Sequence, residues 1–293
     1  MAFLNSFRVN NPTMPLCLIP FDGNCDKLRS LSDSYAYSIF DDSEMLHRCD
    51  AIGSMFFGHP RGHFRKLCAF DGPFSEFIYI DCDTVVVSDV SFVFQYSAQY
   101  DFVFSHSNRP GLRQWVWKDS IYESSDLVDD QIDFSANTGF FCSRRGAISI
   151  DNAEQDLSSA VALAPHMELG CVEQPYLNYL VVTSGKRYTS LLEIQRRAPL
   201  WNIPLEKWAG GGFLSPTKDS VRHKGTNFFL FHWAGSWAAG DFDRKVYRWL
   251  ARFGIRVRSP SVKIFMPRKR LWRRYRYLKF TNMMRVLDRV GKR

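Results

Sequence analysis

At 293 residues, 45% of them apolar, the chain has the length and the material for one large α/β domain or a domain with an appendage, and its composition excludes disorder for most of its length. The net charge of +8 is unevenly placed: residues 256–293 carry fourteen Lys or Arg against one acid, Asp288, which leaves residues 1–255 at −5. Seven cysteines, an odd number with no C-x-x-C pair, point away from a disulfide framework or a zinc ribbon, so a reducing, cytoplasmic compartment is expected. The N-terminus lacks a basic stretch followed by a continuous apolar one, so no signal peptide is expected, and no run approaches the ~20 apolar residues of a membrane-spanning helix.

In chain order, residues 16–20 (LCLIP) read as a short buried strand and FDGN (21–24) as the turn after it. The alternation in YAYSIF (35–40) predicts a second strand. Between Ser43 and Phe57 the spacing of Met45, Leu46, Cys49, Ile52 and Phe56 is helical. HFRKLCAF (63–70) reads as another helix, stopped by the DGP that follows. Strands are then expected at FIYI (77–80) and within YDFVFSHS (100–107). A capping box of Asp151 with Glu154 predicts a helix over 151–164. CVEQPYLNYLVVTSG (171–185) predicts one with Pro175 in its first turn and Gly185 past its end, which puts Glu173 and Gln174 at a helix N-terminus. FFLFHW (228–233) reads as a strand, residues 241–253 as a closing helix, and the composition shift at Arg256 as a boundary between a body of 1–255 and a tail of 256–293. Alternating strands and helices predict a doubly wound, largely parallel sheet, in which ligands sit beyond the carboxyl ends of strands. Aromatic residues make up 15%, with eight Trp, which fits either ring-stacking pockets or large core side chains.

Asp81 and Asp83 stand at such a strand end, in FIYIDCDTVVV (77–87). Carboxylates are costly to desolvate without a cation or a set of donors. Two of them two residues apart can share one divalent cation through hard oxygen ligands, or merely cap neighbouring N–H groups and face water. An apolar strand followed by D-x-D-T-V also resembles the nucleophile motif of haloacid-dehalogenase-type phosphohydrolases, with Asp81 as the nucleophile, FVFS (102–105) as a second motif and VDD (128–130) as an acidic metal motif. Against that, the motif normally sits on the first strand of its domain, whereas about eighty residues of apparent α/β structure precede it here.

A second resemblance accounts for more of the chain. KLCAFDGPFSEFIYIDCDTVVVSDV (66–90) resembles the segment of nucleotide-sugar glycosyltransferases of GT-A fold in which a helix, a G-P-F turn and a strand deliver a D-x-D. NTGFFCSRRG (137–146), EQPYLNYLV (173–181) and FHWAGSW (231–237) follow in the order and spacing of the family 8 group, relatives of glycogenin and of lipopolysaccharide galactosyltransferases. The resemblance spans residues 16–240 and omits the tail. It implies an α/β fold with a Rossmann-like mixed sheet flanked by helices. It also implies transfer of a hexose from a nucleotide diphosphate sugar, UDP foremost, to an acceptor hydroxyl on a saccharide, a lipid-linked molecule or another compound.

The same resemblance assigns roles. Asp81 and Asp83 would hold Mn²⁺ or Mg²⁺ with His232 as the third protein ligand, and Asp81 would divide its oxygens between the metal and the donor ribose. Pro20, Phe21 and Asp22 would frame the base and ribose, an Asx-type turn being the plainer reading of the same residues. Arg65 or Lys66 would reach donor phosphate or sugar, a solvated helix face being the alternative. Cys82, Asn137 and Gly235 would complete the donor site, although Ala238 stands where some relatives carry a phosphate-binding Lys. Gln174 would face the anomeric carbon opposite the leaving group, in a reaction expected to retain configuration. Glu173, where relatives often have Asp, would deprotonate the acceptor or cap the helix.

The tail RKRLWRRYRYLKFTNMMRVLDRV (268–290) interleaves its cations with aromatic and apolar residues. Such a segment suits an anionic membrane surface, placing the protein peripherally on the inner face of a membrane. A nucleic-acid partner is not expected, because the cations are confined to one terminus and the body offers no base-reading module.

Overall fold

The computed structural model describes residues 2–109, 111–208 and 228–233. The expected helix at 241–253, the boundary at 256, the basic tail, Gly235 and Ala238 lie outside these residues. In chain order the elements are α1 (Ala2–Asn10), β1 (Cys17–Leu18), α2 (Asp26–Arg29), α3 (Ser32–Tyr35), β2 (Ser38–Ile39), α4 (Ser43–Phe57), β3 (Glu76–Ile80), β4 (Thr84–Val86) and β5 (Phe102–Phe104). They continue with α5 (Asp129–Phe134), β6 (Phe140–Arg144), α6 (Ile150–Leu163), α7 (Gln174–Thr183), β7 (Tyr188–Ser190), α8 (Leu191–Arg197), β8 (Leu205–Trp208) and β9 (Phe228–His232). The chain divides into two compact units. Of the described residues, the larger holds those within Pro15–Ile80 and Ser91–Ile203; the smaller holds 2–14, Asp81–Val90, 204–208 and 228–233.

The larger unit is built on a four-stranded sheet of order β3-β6-β5-β7, beside a two-stranded parallel pair, β1-β2. The expected largely parallel sheet does not form: β6 runs antiparallel to both β3 and β5, and only β5 and β7 pair in parallel. A strand buried on both faces reads as a continuous apolar run in either orientation, so the apolar pattern could not reveal the reversal. β5 is one such strand, with Phe102, Val103 and Phe104 all buried.

The core of this unit is aromatic. Phe70 packs on Phe77, Phe102 and Phe141, stacked on the last at 5.7 Å between ring centres, and Tyr79 stacks on Phe141 at 5.1 Å. Such contacts contribute roughly 0.5–1.5 kcal/mol each beyond area burial. Most of the aromatic residues in this unit are therefore core side chains.

α4 forms over the residues that periodicity predicts. Asp42 caps it, accepting the Met45 N–H at 3.0 Å, and Gly58 ends it in the left-handed region at φ +91°. The next helical stretch, Gly62–Asp71, is a 3-10 helix that stops at Gly72, before Pro73. α6 also forms as expected but with a different cap. The Ser149 side chain accepts the Asn152 N–H at 3.0 Å, whereas Asp151 and Glu154 both pair with Arg48 of α4. The strand expected at 35–40 is reduced to Ser38–Ile39 because α3 claims the residues through Tyr35. α7 is buried along its length from Pro175 to Val182, which explains its nearly unbroken apolar run.

In the smaller unit β4, β9 and β8 form a three-stranded sheet, β4 and β9 antiparallel, β9 and β8 parallel. The N-terminal helix α1 packs against β4. Its polar face supplies partners for backbone groups that β9 does not reach. The Ser6 hydroxyl accepts the Val86 N–H at 3.0 Å, Asn10 Nδ2 donates to the Val86 carbonyl at 3.0 Å, and Asn11 accepts the Val90 N–H at 3.0 Å. A sheet edge that would otherwise bury unpaired amides is thereby satisfied. No helix among the described residues is long and apolar enough to cross a membrane.

Candidate metal centre

The site is assembled by strand register. The chain leaves β3 at Ile80, turns through Asp81, Cys82 and Asp83, and enters β4 at Thr84. Two bonds fix the turn: the Thr84 hydroxyl donates to the Asp81 carbonyl at 2.7 Å, and the Trp233 N–H donates to the Asp83 carbonyl at 3.0 Å. Antiparallel pairing sets His232 opposite Thr84, so the last residue of β9 stands beside the two carboxylates. His232 Nε2 lies 3.2 Å from Asp83 Oδ1 and 4.0 Å from Asp81 Oδ2. One ligand atom from each of the three falls within 4.8 Å of the others, so the group can hold a metal ion. Among the described residues it is the one group of three such side chains with that spacing. Both carboxylates are half-buried, the imidazole is buried, and Cys82 between them is exposed.

A fourth residue, which the sequence reading missed, lies behind the histidine. Glu206 of β8 is buried and its Oε1 lies 2.5 Å from His232 Nδ1, while Trp208 Nε1 donates to the same carboxylate at 3.1 Å. A carboxylate that accepts a hydrogen bond from Nδ1–H keeps the proton on that nitrogen and leaves the Nε2 lone pair for a cation, the arrangement common behind metal-binding histidines. Burial by itself lowers the His232 pKa; the Glu206 charge, joined by Asp83, outweighs it and holds the imidazole well above 6.5 in the metal-free protein. In the sequence, Glu206 is one acid within LEKW (205–208), with no pattern that sets it apart.

The other expected site residues belong to the larger unit. Lys66 is buried, donates to Glu173 Oε1 at 2.6 Å and to the Thr138 carbonyl at 3.1 Å, and lies over the Tyr79 ring. The solvated-face reading thus does not hold for Lys66. Nor does Glu173 cap α7: its side chain makes no cap bond, because a buried ammonium needs a counter-charge more than a helix end needs an acceptor. Gln174 bridges two backbones, accepting the Thr138 N–H at 3.3 Å and donating to the Trp115 carbonyl at 2.9 Å. Asn137 is buried beside them, its N–H bonded to the His106 carbonyl and its Oδ1 accepting the Gly139 N–H. Lys66, Glu173, Gln174 and the Asn137–Thr138 turn therefore form one polar cluster.

Arg65 points elsewhere. Its guanidinium holds Asp50 with two bonds, at 2.8 and 2.6 Å, and donates to the Pro20 carbonyl at 3.1 Å. The stretch Pro20–Asp22 is thus anchored to the helices behind it. Asp22 does form an Asx-type turn, accepting the Asn24 N–H at 2.8 Å. Phe21 is half exposed and meets the His63 ring edge-on at 4.9 Å. The proposed phosphohydrolase metal residues Asp129 and Asp130 are exposed in the first turn of α5 and join no metal-capable group among the described residues.

A comparison of the sequence with models of known protein families, and with curated proteins, gave no match.

Proposed function

We propose that this chain is a metal-dependent glycosyltransferase of GT-A type, moving a hexose from a nucleotide diphosphate sugar to an acceptor hydroxyl on a saccharide, a lipid-linked molecule or another compound. The observation that carries the reading is His232 beside Asp81 and Asp83, with Glu206 on its far nitrogen. A mixed oxygen and imidazole donor set suits Mn²⁺, with Mg²⁺ the harder alternative. When bound, the cation would supply Lewis-acid stabilisation of the charge that develops on the departing diphosphate.

In this reading Asp81, Asp83 and His232 hold the ion and Glu206 keeps His232 in the ligating tautomer. The Lys66 ammonium, 2.6 Å from Glu173 Oε1, fixes the orientation of that side chain, whose oxygens can accept hydrogen bonds from sugar hydroxyls. Gln174 is held at both ends of its amide, so its position is set before any ligand arrives. A histidine in the metal group, together with acids at 129 and 130 outside it, favours this reading over a phosphohydrolase with Asp81 as nucleophile.

The test is a thermal-shift and turnover screen of UDP-sugars with and without Mn²⁺. A donor at 100 times its Kd should add ~2.7 kcal/mol of stability. Hydrolysis or transfer should require the cation and disappear in Asp83→Ala. Indifference to every UDP-sugar, combined with metal-dependent hydrolysis of small phosphomonoesters, would replace this reading with the phosphohydrolase one.

A further inference from the structure

Two of the most exposed large apolar side chains among the described residues stand side by side on one turn. Leu200 is 99% exposed and Trp201 66%, in the 3-10 turn Pro199–Trp201 that follows α8. The turn is braced. Gln195 of α8 grips it from both sides, its Nε2 donating to the Pro199 carbonyl at 2.8 Å and its Oε1 accepting the Ile203 N–H. The Trp201 N–H donates to the Ala198 carbonyl at 3.0 Å, and Asn202 takes the left-handed conformation at φ +48°, which Asn tolerates better than most residues. Ile203 is already buried. Backbone bonds therefore hold Leu200 and Trp201 out in water, where large apolar surface is unfavourable unless something covers it.

The surroundings select the cover. Arg196 and Arg197, in the last turn of α8, are exposed, and the Arg196 guanidinium donates to the Asn108 carbonyl at 2.9 Å. That bond draws the loop carrying exposed Arg109 against the same end of α8. The nearby acid Glu193 is engaged by Arg196 at 2.5 Å. A second copy meeting this surface about a two-fold axis would bring like charges together. A bilayer with anionic headgroups would instead meet arginines with phosphates and the apolar tip with the acyl boundary. We propose that the Leu200–Trp201 turn docks on an anionic lipid bilayer, with Arg196, Arg197 and Arg109 at headgroup depth. This contact depends neither on the basic tail nor on the glycosyltransferase reading.

The experiment uses the full-length chain and vesicles of phosphatidylcholine alone or mixed about two to one with phosphatidylglycerol. Leu200→Ser/Trp201→Ser should lower partitioning onto the anionic vesicles about 10-fold, with an unchanged circular dichroism spectrum because both side chains lie in solvent. The deficit should persist at about 0.5 M salt, where contacts made by charge alone are screened. Brominated lipid should quench a component of the wild-type fluorescence that is missing in Trp201→Phe. The proposal is overturned if the wild-type protein does not bind, if the double variant partitions like wild type, or if no Trp201-dependent quenching is seen. A lipid-free dimer abolished by the double variant would overturn it as well, making the turn a self-association surface.

Discussion

Replacing Glu206 by Gln keeps the shape of the side chain and removes its charge, and the consequences for metal binding run in two directions. The carboxylate 2.5 Å from His232 Nδ1 orients the ring and raises the basicity of Nε2. Losing such a partner typically weakens metal affinity by about 10–100-fold, or roughly 1.4–2.7 kcal/mol. Yet the same charge is the leading influence holding a proton on the metal-free imidazole against the effect of burial. Below the raised folded pKa, a cation must displace that proton, so wild-type affinity should climb about tenfold per pH unit. In Glu206→Gln the leading influence that holds the proton is gone and only Asp83 opposes burial, so the imidazole is neutral over more of the range and the competition weakens. The deficit should therefore be small at acid pH and reach its full size only above the wild-type folded pKa. Calorimetric titration with Mn²⁺ across about pH 6–9, in buffers of different ionisation enthalpy, reads both affinity and proton release. Equal affinities at alkaline pH, or proton release unchanged by the substitution, would refute the reasoning. The sign for stability follows from the same shift. His232, raised above its unfolded value of 6.5, contributes stability that is fully present below that pH and lost as pH rises through the folded pKa. Urea titrations of the metal-free protein should show this loss, and it should flatten in Glu206→Gln.

Other substitutions test the larger unit. Lys66→Met should destabilise the protein by about 3–5 kcal/mol because it strands the Glu173 carboxylate, and adding Glu173→Gln should recover much of that loss in urea denaturation. Ser149→Ala should cost ~1 kcal/mol, whereas Asp151→Ala, at a side chain 80% exposed, should change stability by under about 0.5 kcal/mol; the reverse order would restore Asp151 as the cap of α6. Gly62→Ala should cost about 1–3 kcal/mol in thermal or urea unfolding, since a Cβ there would lie 2.0 Å from the Phe21 carbonyl oxygen and force the Pro20–Asp22 stretch to move; an unchanged midpoint would mean that this stretch yields freely.

What the sequence could determine by itself was local. The period of Met45, Leu46, Cys49, Ile52 and Phe56 fixed α4 to the residue, because a helical face is written at 3.6-residue intervals in one continuous segment. Pro175 and Gly185 marked the limits of α7 for equally local reasons: one lacks the N–H that a first turn does not use, and the other accepts φ +67°. The acids at 81 and 83 drew notice as carboxylates placed against an apolar strand, a conflict visible within ten residues.

Tertiary structure decided whatever depends on partners distant in sequence. Strand direction is one case, since β6 reads the same in either orientation and only pairing with β3 and β5 sets it. The choice of cap on α6 is another: Asp151 and Ser149 are both competent N-caps, and Arg48, about a hundred residues earlier, draws the aspartate away. Glu173 follows the same rule, taken from its helix end by Lys66. Glu206 is the clearest case. Nothing in LEKW marks its acid as different from any other, and its role arises only when β8 pairs with β9 and brings a buried carboxylate within hydrogen-bond reach of His232. Desolvation and charge pairing act through space at a few ångströms, so their outcome is fixed by the register of the sheet and not by the order of the residues.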